Sequence, residues 1–181
     1  MNDQTEKMTL APNAVHLVRT SMLSTLALSQ MADQKANMVM GASFVVFTLA
    51  IGQARSGTML LPIAILASGA FVAAICAIVS VLPKVTLAGQ AGTLGQSSGD
   101  NILFFGVFTH MSEQEFADRV IEALGTDEDT YRMMLRDVYQ NGQVLHRKKY
   151  RFLGYAYRAF LAGLVGSFVA FFAEMLMQMR V

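Results

Sequence analysis

Residues 60–82 read LLPIAILASGAFVAAICAIVSVL, a run of 23 positions without a charged side chain. Two further runs are similarly apolar: ANMVMGASFVVFTLAIGQA at 36–54, which has no charged residue, and AFLAGLVGSFVAFFAEMLMQM at 159–179, which has one, Glu174. A helix needs about 20 residues to cross a hydrocarbon core of ~30 Å, and each run has that length. A buried helix of a soluble domain is seldom this long and this apolar, so the three runs predict three transmembrane helices.

The composition of the whole chain is that of a membrane protein. Hydrophobic residues make up 54% of the 181 positions and charged residues 15%, compared with about 25% charged residues in an average soluble domain. The formal net charge of +1 gives no electrostatic reason to expect binding to a nucleic acid polymer. The single cysteine, Cys76, excludes an internal disulfide and a zinc site built from several cysteines.

The placement of Lys and Arg predicts the orientation of the chain. Arg55 is the only basic residue between the first two runs, whereas nine basic residues lie between positions 83 and 158. Because basic residues are enriched on the cytoplasmic side of a membrane, the N-terminus and residues 83–156 are expected in the cytoplasm. The 55–59 loop and the C-terminus would then face outward. A multi-pass protein of the bacterial inner membrane is the simplest location.

Helical patterns extend two of the three runs beyond the membrane. Neither Pro nor Gly occurs between Asn13 and Met40, and no Pro follows Asp127. The first and the third run are therefore each expected to continue a cytosolic helix. The cytosolic halves, about 14–35 and 127–156, are candidates for antiparallel packing against each other.

The expected fold class is an all-α integral membrane protein with three transmembrane helices. Two of these helices are continuous with long cytosolic helices, which form a small helical bundle. The expected organisation is an N-terminal cytosolic helix, a transmembrane hairpin, a cytosolic helical segment with a Gly/Ser-rich loop, and a third transmembrane helix, at residues 1–35, 36–82, 83–156 and 157–181.

The segment between the second and third runs contains several local signals. Glycines and serines at 84–99 predict a flexible linker, because no Lys-Ser/Thr pair follows them as in a phosphate-binding loop. The apolar run ILFFGVF at 102–108 fits a short strand or a packed or interfacial segment. A capping box at Ser112 and Glu115 predicts a helix that ends near Gly125, and the next helix is capped from Thr126.

The chain offers no catalytic group of residues. His16, His110 and His146 are isolated, and none has carboxylate or thiol neighbours at the spacing of metal ligands. Cys76 lies among Ala and Ile in the second run, where desolvation makes a thiol a poor nucleophile. We therefore expect no metal site, no cofactor and no enzymatic activity.

Two polar segments lie next to predicted spans. In the sequence DQKAN at 33–37, Asp33 and Asn37 are one helical turn apart and share a face. This segment is either an interfacial collar, with Asp33 paired to a basic residue of the last helix, or a ligand or gating collar. The basic segment HRKKYR at 146–151 either anchors its helix to anionic headgroups or captures a phosphate-bearing ligand. The candidate ligand-binding residues are Asp33, Lys35, Asn37, Arg147, Lys149, Tyr150 and Arg151.

The spans themselves contain two further signals. Glu174 is ionisable and lies within the third run, so it is a candidate pore or gating residue unless it simply reaches the outer interface. Rows of small residues at helical spacing allow close helix packing, within the chain or with another copy. These rows are Gly69, Ala73 and Ala77; Ala159, Gly163 and Ser167; and Ala162, Gly166 and Ala170. Because three spans make a thin bundle, a pore would require a homo-oligomer.

Several short motifs occur in a fixed order along residues 15–178. They are Asp33-Gln-Lys-Ala-Asn37, Leu82-Pro83-Lys84, Asn101-Ile-Leu-Phe-Phe-Gly106, Ser112-x-x-Glu115-Phe116, and Val138-Tyr139 followed by Leu145, Lys149-Tyr150 and Ala156-Tyr157. In this order and spacing the chain resembles the Pycsar membrane-effector (PycTM-like) domain family.

This resemblance implies a role in bacterial anti-phage defence. In Pycsar systems a cyclase makes cyclic CMP or cyclic UMP on infection, and a membrane effector then impairs the inner membrane and stops growth, as in abortive infection. The resemblance assigns Asp33, Lys35 and Asn37 to a juxtamembrane motif and Lys149 and Tyr150 to a facing helix motif. No β-roll cyclic-nucleotide domain is recognisable in residues 83–158, so either the helical segment senses the nucleotide or sensing lies elsewhere.

The implied partners are membrane lipid, cyclic CMP or cyclic UMP as ligand, and further copies of the chain. The alternative hypothesis is an oligomeric membrane scaffold or adaptor that recruits a soluble partner through its cytosolic helices. A partner that co-purifies in stoichiometric amount, without a response to ligand, would favour this alternative.

Overall fold

The structure is a computed structural model that describes residues 11–55, 57, 59–82 and 101–179. Within these residues every regular element is helical. The elements are α1 (Ala14–Ala54), α2 (Leu60–Val81), α3 (Phe105–Phe108), α4 (Glu113–Ala123), α5 (Asp127–Val144), a π-helical segment (Leu145–Tyr150) and α6 (Arg151–Gln178). The linker predicted at 84–99 lies outside the described residues.

Three helices are long and apolar enough to cross a membrane, which confirms the helical nature of the three runs. They are α1 with 41 residues, α2 with 22, and the continuous helix Asp127–Gln178 with 52. Pro62 lies in the first turn of α2, where its missing N–H removes no helical hydrogen bond. The membrane location and the orientation of the chain stay predictions.

The described residues form two compact units, residues 11–27 with 101–144 and residues 28–82 with 145–179. The second unit contains α2, the π-helical segment, α6 and the larger part of α1. The division of the sequence at 35, 82 and 156 follows expected membrane boundaries, and it stays a prediction, as does the small cytosolic bundle.

The core of the second unit consists mainly of small residues. One buried cluster contains Ala32, Ala36, Leu145 and Leu153, and a second contains Val39, Ala73, Ala77 and Ala156. Small side chains bring helix backbones close together, and van der Waals packing of this kind stabilises helix pairs in lipid.

Helices α2 and α6 approach each other closely at Gly69 and Gly163. A Cβ atom added to Gly69 would lie 2.5 Å from the Gly163 Cα, and one added to Gly163 would lie 2.8 Å from the Gly69 Cα. A Cβ atom added to Gly166 would lie 3.1 Å from the side-chain Cγ2 atom of Ile65. The close packing predicted at Gly69 and Gly163 is therefore confirmed, and it joins two helices of one chain.

In the first unit, the run ILFFGVF forms a turn followed by the single-turn helix α3, so the short strand, one of the two alternatives for this run, is wrong. Asn101 explains the difference. Its side-chain oxygen accepts a hydrogen bond from the Leu103 N–H at 3.1 Å, and its backbone carbonyl accepts one from the Phe104 N–H at 3.0 Å. These bonds form an Asx-type turn, which bends the chain away from an extended strand. The Asn101 amide also donates to buried Asp137 on α5 at 2.8 Å.

The predicted helix starts at Ser112 and Thr126 are confirmed. The Ser112 hydroxyl accepts a hydrogen bond from the Glu115 N–H at 3.2 Å, and α4 begins at the next residue, Glu113. The Thr126 hydroxyl accepts one from the Asp129 N–H at 3.1 Å, and α5 begins at Asp127. In both helices the side-chain oxygen satisfies an N–H that has no partner within the helix.

Candidate functional site

The basic segment at 146–151 coincides almost entirely with the π-helical segment Leu145–Tyr150, called the π segment below. Leu145 is buried in the cluster with Ala32 and Ala36 of α1. The sequence predicted a continuous helix here. The structure has one, but over the π segment its backbone hydrogen bonds follow the wider i→i+5 pattern. Such turns are rare and occur frequently at functional sites, so the π segment is the natural place to look for one.

Lys149 connects the π segment to α1 by two side-chain bonds. Its ammonium group donates to Asp33 Oδ2 at 2.6 Å and to Ser29 Oγ at 2.8 Å. Ser29 and Asp33 are one helical turn apart, so they present both acceptors on one face of α1. The side chains of Lys149 and Asp33 are 21% and 36% exposed, so water screens their attraction less than at an open surface.

The carboxylate of Asp33 is only partly satisfied. Its second oxygen, Oδ1, is buried and accepts no hydrogen bond from the part of the chain that the structure describes. A buried acceptor without a donor costs about 1–3 kcal/mol. The Asp33–Lys149 pair therefore combines a short ion pair with an unsatisfied oxygen.

The π segment is also bonded to α2. The Ser80 hydroxyl donates to the Lys149 backbone carbonyl at 3.3 Å, and Ser80 is 1% exposed. The Lys148 ammonium donates to the carbonyl of Leu82, the C-cap residue of α2. The last carbonyls of a helix have no partner within it, and a Lys side chain is a favourable donor for them. Ser29, Asp33, Ser80, Lys148 and Lys149, with the Leu82 carbonyl, are called the junction below.

The structure brings three of the candidate ligand-binding residues together. Asp33 and Lys149 form the ion pair, and the half-buried Tyr150 places its hydroxyl 3.5 Å from the Leu28 carbonyl of α1. The other four candidates are solvent-exposed, and none is bonded to the junction. They are Lys35, Asn37, Arg147 and Arg151.

Arg151 has a separate interaction in the first turn of α6. Its Nε donates to the Tyr155 hydroxyl at 3.1 Å, and its guanidinium carbon lies 5.8 Å from the centre of the Tyr155 ring. This hydrogen bond raises the pKa of the exposed Arg151 guanidinium above its usual value. Arg151 therefore remains a fixed positive charge beside the π segment.

The sequence did not single out three residues of the junction: Ser29, Ser80 and Lys148. Ser29 could have been found, because it lies four positions before Asp33 on the same helical face. Lys148 belongs to the basic segment but was not chosen among its neighbours. Ser80 carries no comparable signal, because a serine in an apolar run does not indicate which backbone carbonyl it will reach.

Glu174 is half-buried near the end of α6. No Lys, Arg or His among the described residues lies within ion-pair distance of it. Its role in a pore or in gating stays a prediction. Within the described residues, no group of three or more His, Cys, Asp and Glu side chains is arranged to hold a metal ion.

Comparison with known proteins identifies the family. The family model PycTM, described as Pycsar effector protein domain, matches residues 19–175. Searches of curated proteins and of solved structures gave no match. The matched range includes the whole junction and nearly all of the three apolar helices, and it confirms the resemblance drawn from the short motifs. The chain therefore belongs to the PycTM family of Pycsar effector protein domains.

Proposed function

We propose that this protein is a membrane effector of a bacterial cyclic-nucleotide anti-phage defence system, and that it impairs the inner membrane and arrests growth when activated. The observation that carries the proposal is the family match, because it extends from Arg19 to Met175 and so covers the apolar helices together with the junction. The family links the chain to cyclic-nucleotide signalling. The three long apolar helices support a membrane protein.

The effector works by a change in helix packing. A ligand can shift packing only if it binds one arrangement more tightly than the other. In the second unit, α1 runs unbroken from Ser29 and Asp33 into the first apolar run, and the π segment leads directly into α6. A change at the junction therefore reaches two of the three spans without crossing a loop.

The remaining parts of the proposal concern ligand, assembly and location. The ligand is cyclic CMP or cyclic UMP, and the protein acts without enzymatic activity. Three spans make a thin bundle and a pore would need several copies, which supports a homo-oligomer as the active form. The protein lies in the bacterial inner membrane, with its N-terminus and residues 83–156 in the cytoplasm, as the placement of basic residues predicts.

The test is the membrane potential of bacteria that produce the protein together with a pyrimidine cyclase. Cells with an active cyclase should depolarise, and cells with an inactivated cyclase should not. An unchanged potential at saturating cyclic CMP and cyclic UMP would contradict the proposal.

One observation favours the scaffold or adaptor hypothesis as a second candidate. The first unit exposes large apolar side chains at Ile121, Leu135 and Tyr139, with exposures of 71%, 54% and 67%. A soluble protein that co-purifies in stoichiometric amount, without any nucleotide response, would establish that role instead.

A further inference from the structure

We propose that Lys149 is the anion-binding group of this protein and that Asp33 occupies it in the resting state, so that a phosphate ester binds by displacing Asp33. The ligand is thus recognised through an exchange of one anion for another at a single ammonium group. The inference rests on the proposed function in one respect, which is that the phosphate belongs to a cyclic nucleotide.

Lys149 is suited to this exchange by its position. Its side chain keeps 21% of its surface exposed, so the residue is not sealed off from solvent. An ammonium group has three donors, and Asp33 and Ser29 engage two of them. The exposed Arg147 and Arg151 lie two residues before and after it, and they add positive potential that attracts a phosphate.

Asp33 is suited to being displaced. Its Oδ1 is buried and has no donor among the described residues, so the bond that Lys149 donates to Oδ2 only partly compensates the burial of the carboxylate. On release, both oxygens can be hydrated. An incoming phosphate therefore competes with a carboxylate that gains hydrogen bonds when it leaves.

The exchange affects α1 and α2 differently. The bonds of Lys149 to Ser29 and Asp33 use its ammonium group, so a bound phosphate would weaken its attachment to α1. The bond from Ser80 uses the Lys149 backbone carbonyl, which the phosphate leaves untouched. Helices α2 and α6 also stay packed at Gly69 and Gly163. The predicted result is that α1 loosens from a pair of helices that remain together.

The experiment measures equilibrium binding of radiolabelled cyclic CMP and cyclic UMP to the full-length protein in lipid nanodiscs. Removing the competitor with Asp33→Asn should tighten binding about fivefold or more, at the lower end of typical coupling between sites. Lys149→Gln should weaken binding at least about tenfold, whereas Lys149→Arg should retain most of it, because the charge remains. Arg136→Gln is the control, since it removes an exposed positive charge from α5 and leaves every residue of the junction in place, and it should change binding less than about twofold.

The opposite signs for Asp33→Asn and Lys149→Gln distinguish exchange from a purely structural ion pair. If both substitutions weaken nucleotide binding, or if neither changes it, the exchange is wrong while the proposed function stands. Nanodiscs with anionic or only zwitterionic lipid identify the source of the phosphate. If the opposite-sign pattern appears for anionic lipid and no nucleotide binds, the exchange is supported and the nucleotide ligand is contradicted. If the wild-type protein binds neither, the inference is overturned, and the membrane-potential test still decides the proposed function.

Discussion

Replacement of Gly69 by alanine should destabilise the packing of α2 against α6, whereas the same replacement at Gly41 should not. The new Cβ atom at position 69 would lie 2.5 Å from the Gly163 Cα and 3.1 Å from both the Gly163 nitrogen and the Ala159 carbonyl oxygen. All three are backbone atoms, so no side chain can rotate away. At Gly41, on α1, nothing lies within 4 Å of the added atom.

The magnitude follows from the distance. Ordinary van der Waals contact begins at 3.4 Å, so the two helices must separate by about 1 Å at this point. Overpacking of this kind typically costs about 1–3 kcal/mol, and the better helix propensity of alanine offsets about 0.5–1 kcal/mol of it. The net cost is thus about 0.5–2 kcal/mol, and at ~2–4 °C per kcal/mol for a chain of this length Gly69→Ala should lower the unfolding temperature by roughly 1–8 °C. Gly41→Ala should leave it unchanged or raise it slightly.

The chain provides its own reporter for this assay. Cys76 is the single cysteine, and it packs half-buried on α2 against the cluster of Val39, Ala73, Ala77 and Ala156. A fluorogenic maleimide that reacts as the thiol becomes exposed records unfolding of detergent-solubilised protein. Gly163→Ala should also lower the midpoint, because its Cβ would lie 2.8 Å from the Gly69 Cα. Equal midpoints for Gly69→Ala and Gly41→Ala would refute the close backbone contact.

Two further pairs of variants give opposite results from similar changes, and the same thiol assay measures both. Ser43 is fully buried and its hydroxyl has no partner among the described residues, so Ser43→Ala should raise stability by about 1 kcal/mol. Ser80→Ala removes the donor to the Lys149 carbonyl and should lower stability by about 1 kcal/mol. If both serine variants changed stability in the same direction, an unpartnered Ser43 hydroxyl and a bonded Ser80 hydroxyl could not both be right. Deletion of exposed His146 should be tolerated, because an i→i+5 turn contains one residue more than an α-helical turn and can revert to it. Deletion of exposed Tyr157 should be harmful, because it rotates Gly163 by about 100° away from Gly69; equal midpoints for the two deletions would show that the π segment holds no extra residue.

The helices of this protein were predictable because their signals are local. Long apolar runs, a capping serine and the absence of proline each act within a few residues. The run at 102–108 was ambiguous, because seven apolar positions show no clear period. Its conformation depends on Asn101, whose amide bonds to Asp137 on a distant helix.

The candidate site was predictable only in part. The sequence indicated that Asp33 could pair with a basic residue of the last helix, but Arg147, Lys148, Lys149 and Arg151 were all available. Helical spacing could not select Lys149, because the π segment changes the angular position of each residue that follows it. The bonds from Ser80 to the Lys149 carbonyl and from Lys148 to the Leu82 carbonyl depend on how α2 packs, and no local pattern encodes that packing.

The most direct measurement is the membrane potential of bacteria that produce the wild-type protein or its Lys149→Gln variant, each with an active or an inactivated pyrimidine cyclase. Our account predicts that the active cyclase depolarises cells with the wild-type protein and makes no difference to cells with the Lys149→Gln variant, which lacks the ammonium group that binds the phosphate. In wild-type cells, depolarisation that does not depend on the cyclase, or a stable potential at saturating nucleotide, would contradict a cyclic-nucleotide-activated membrane effector.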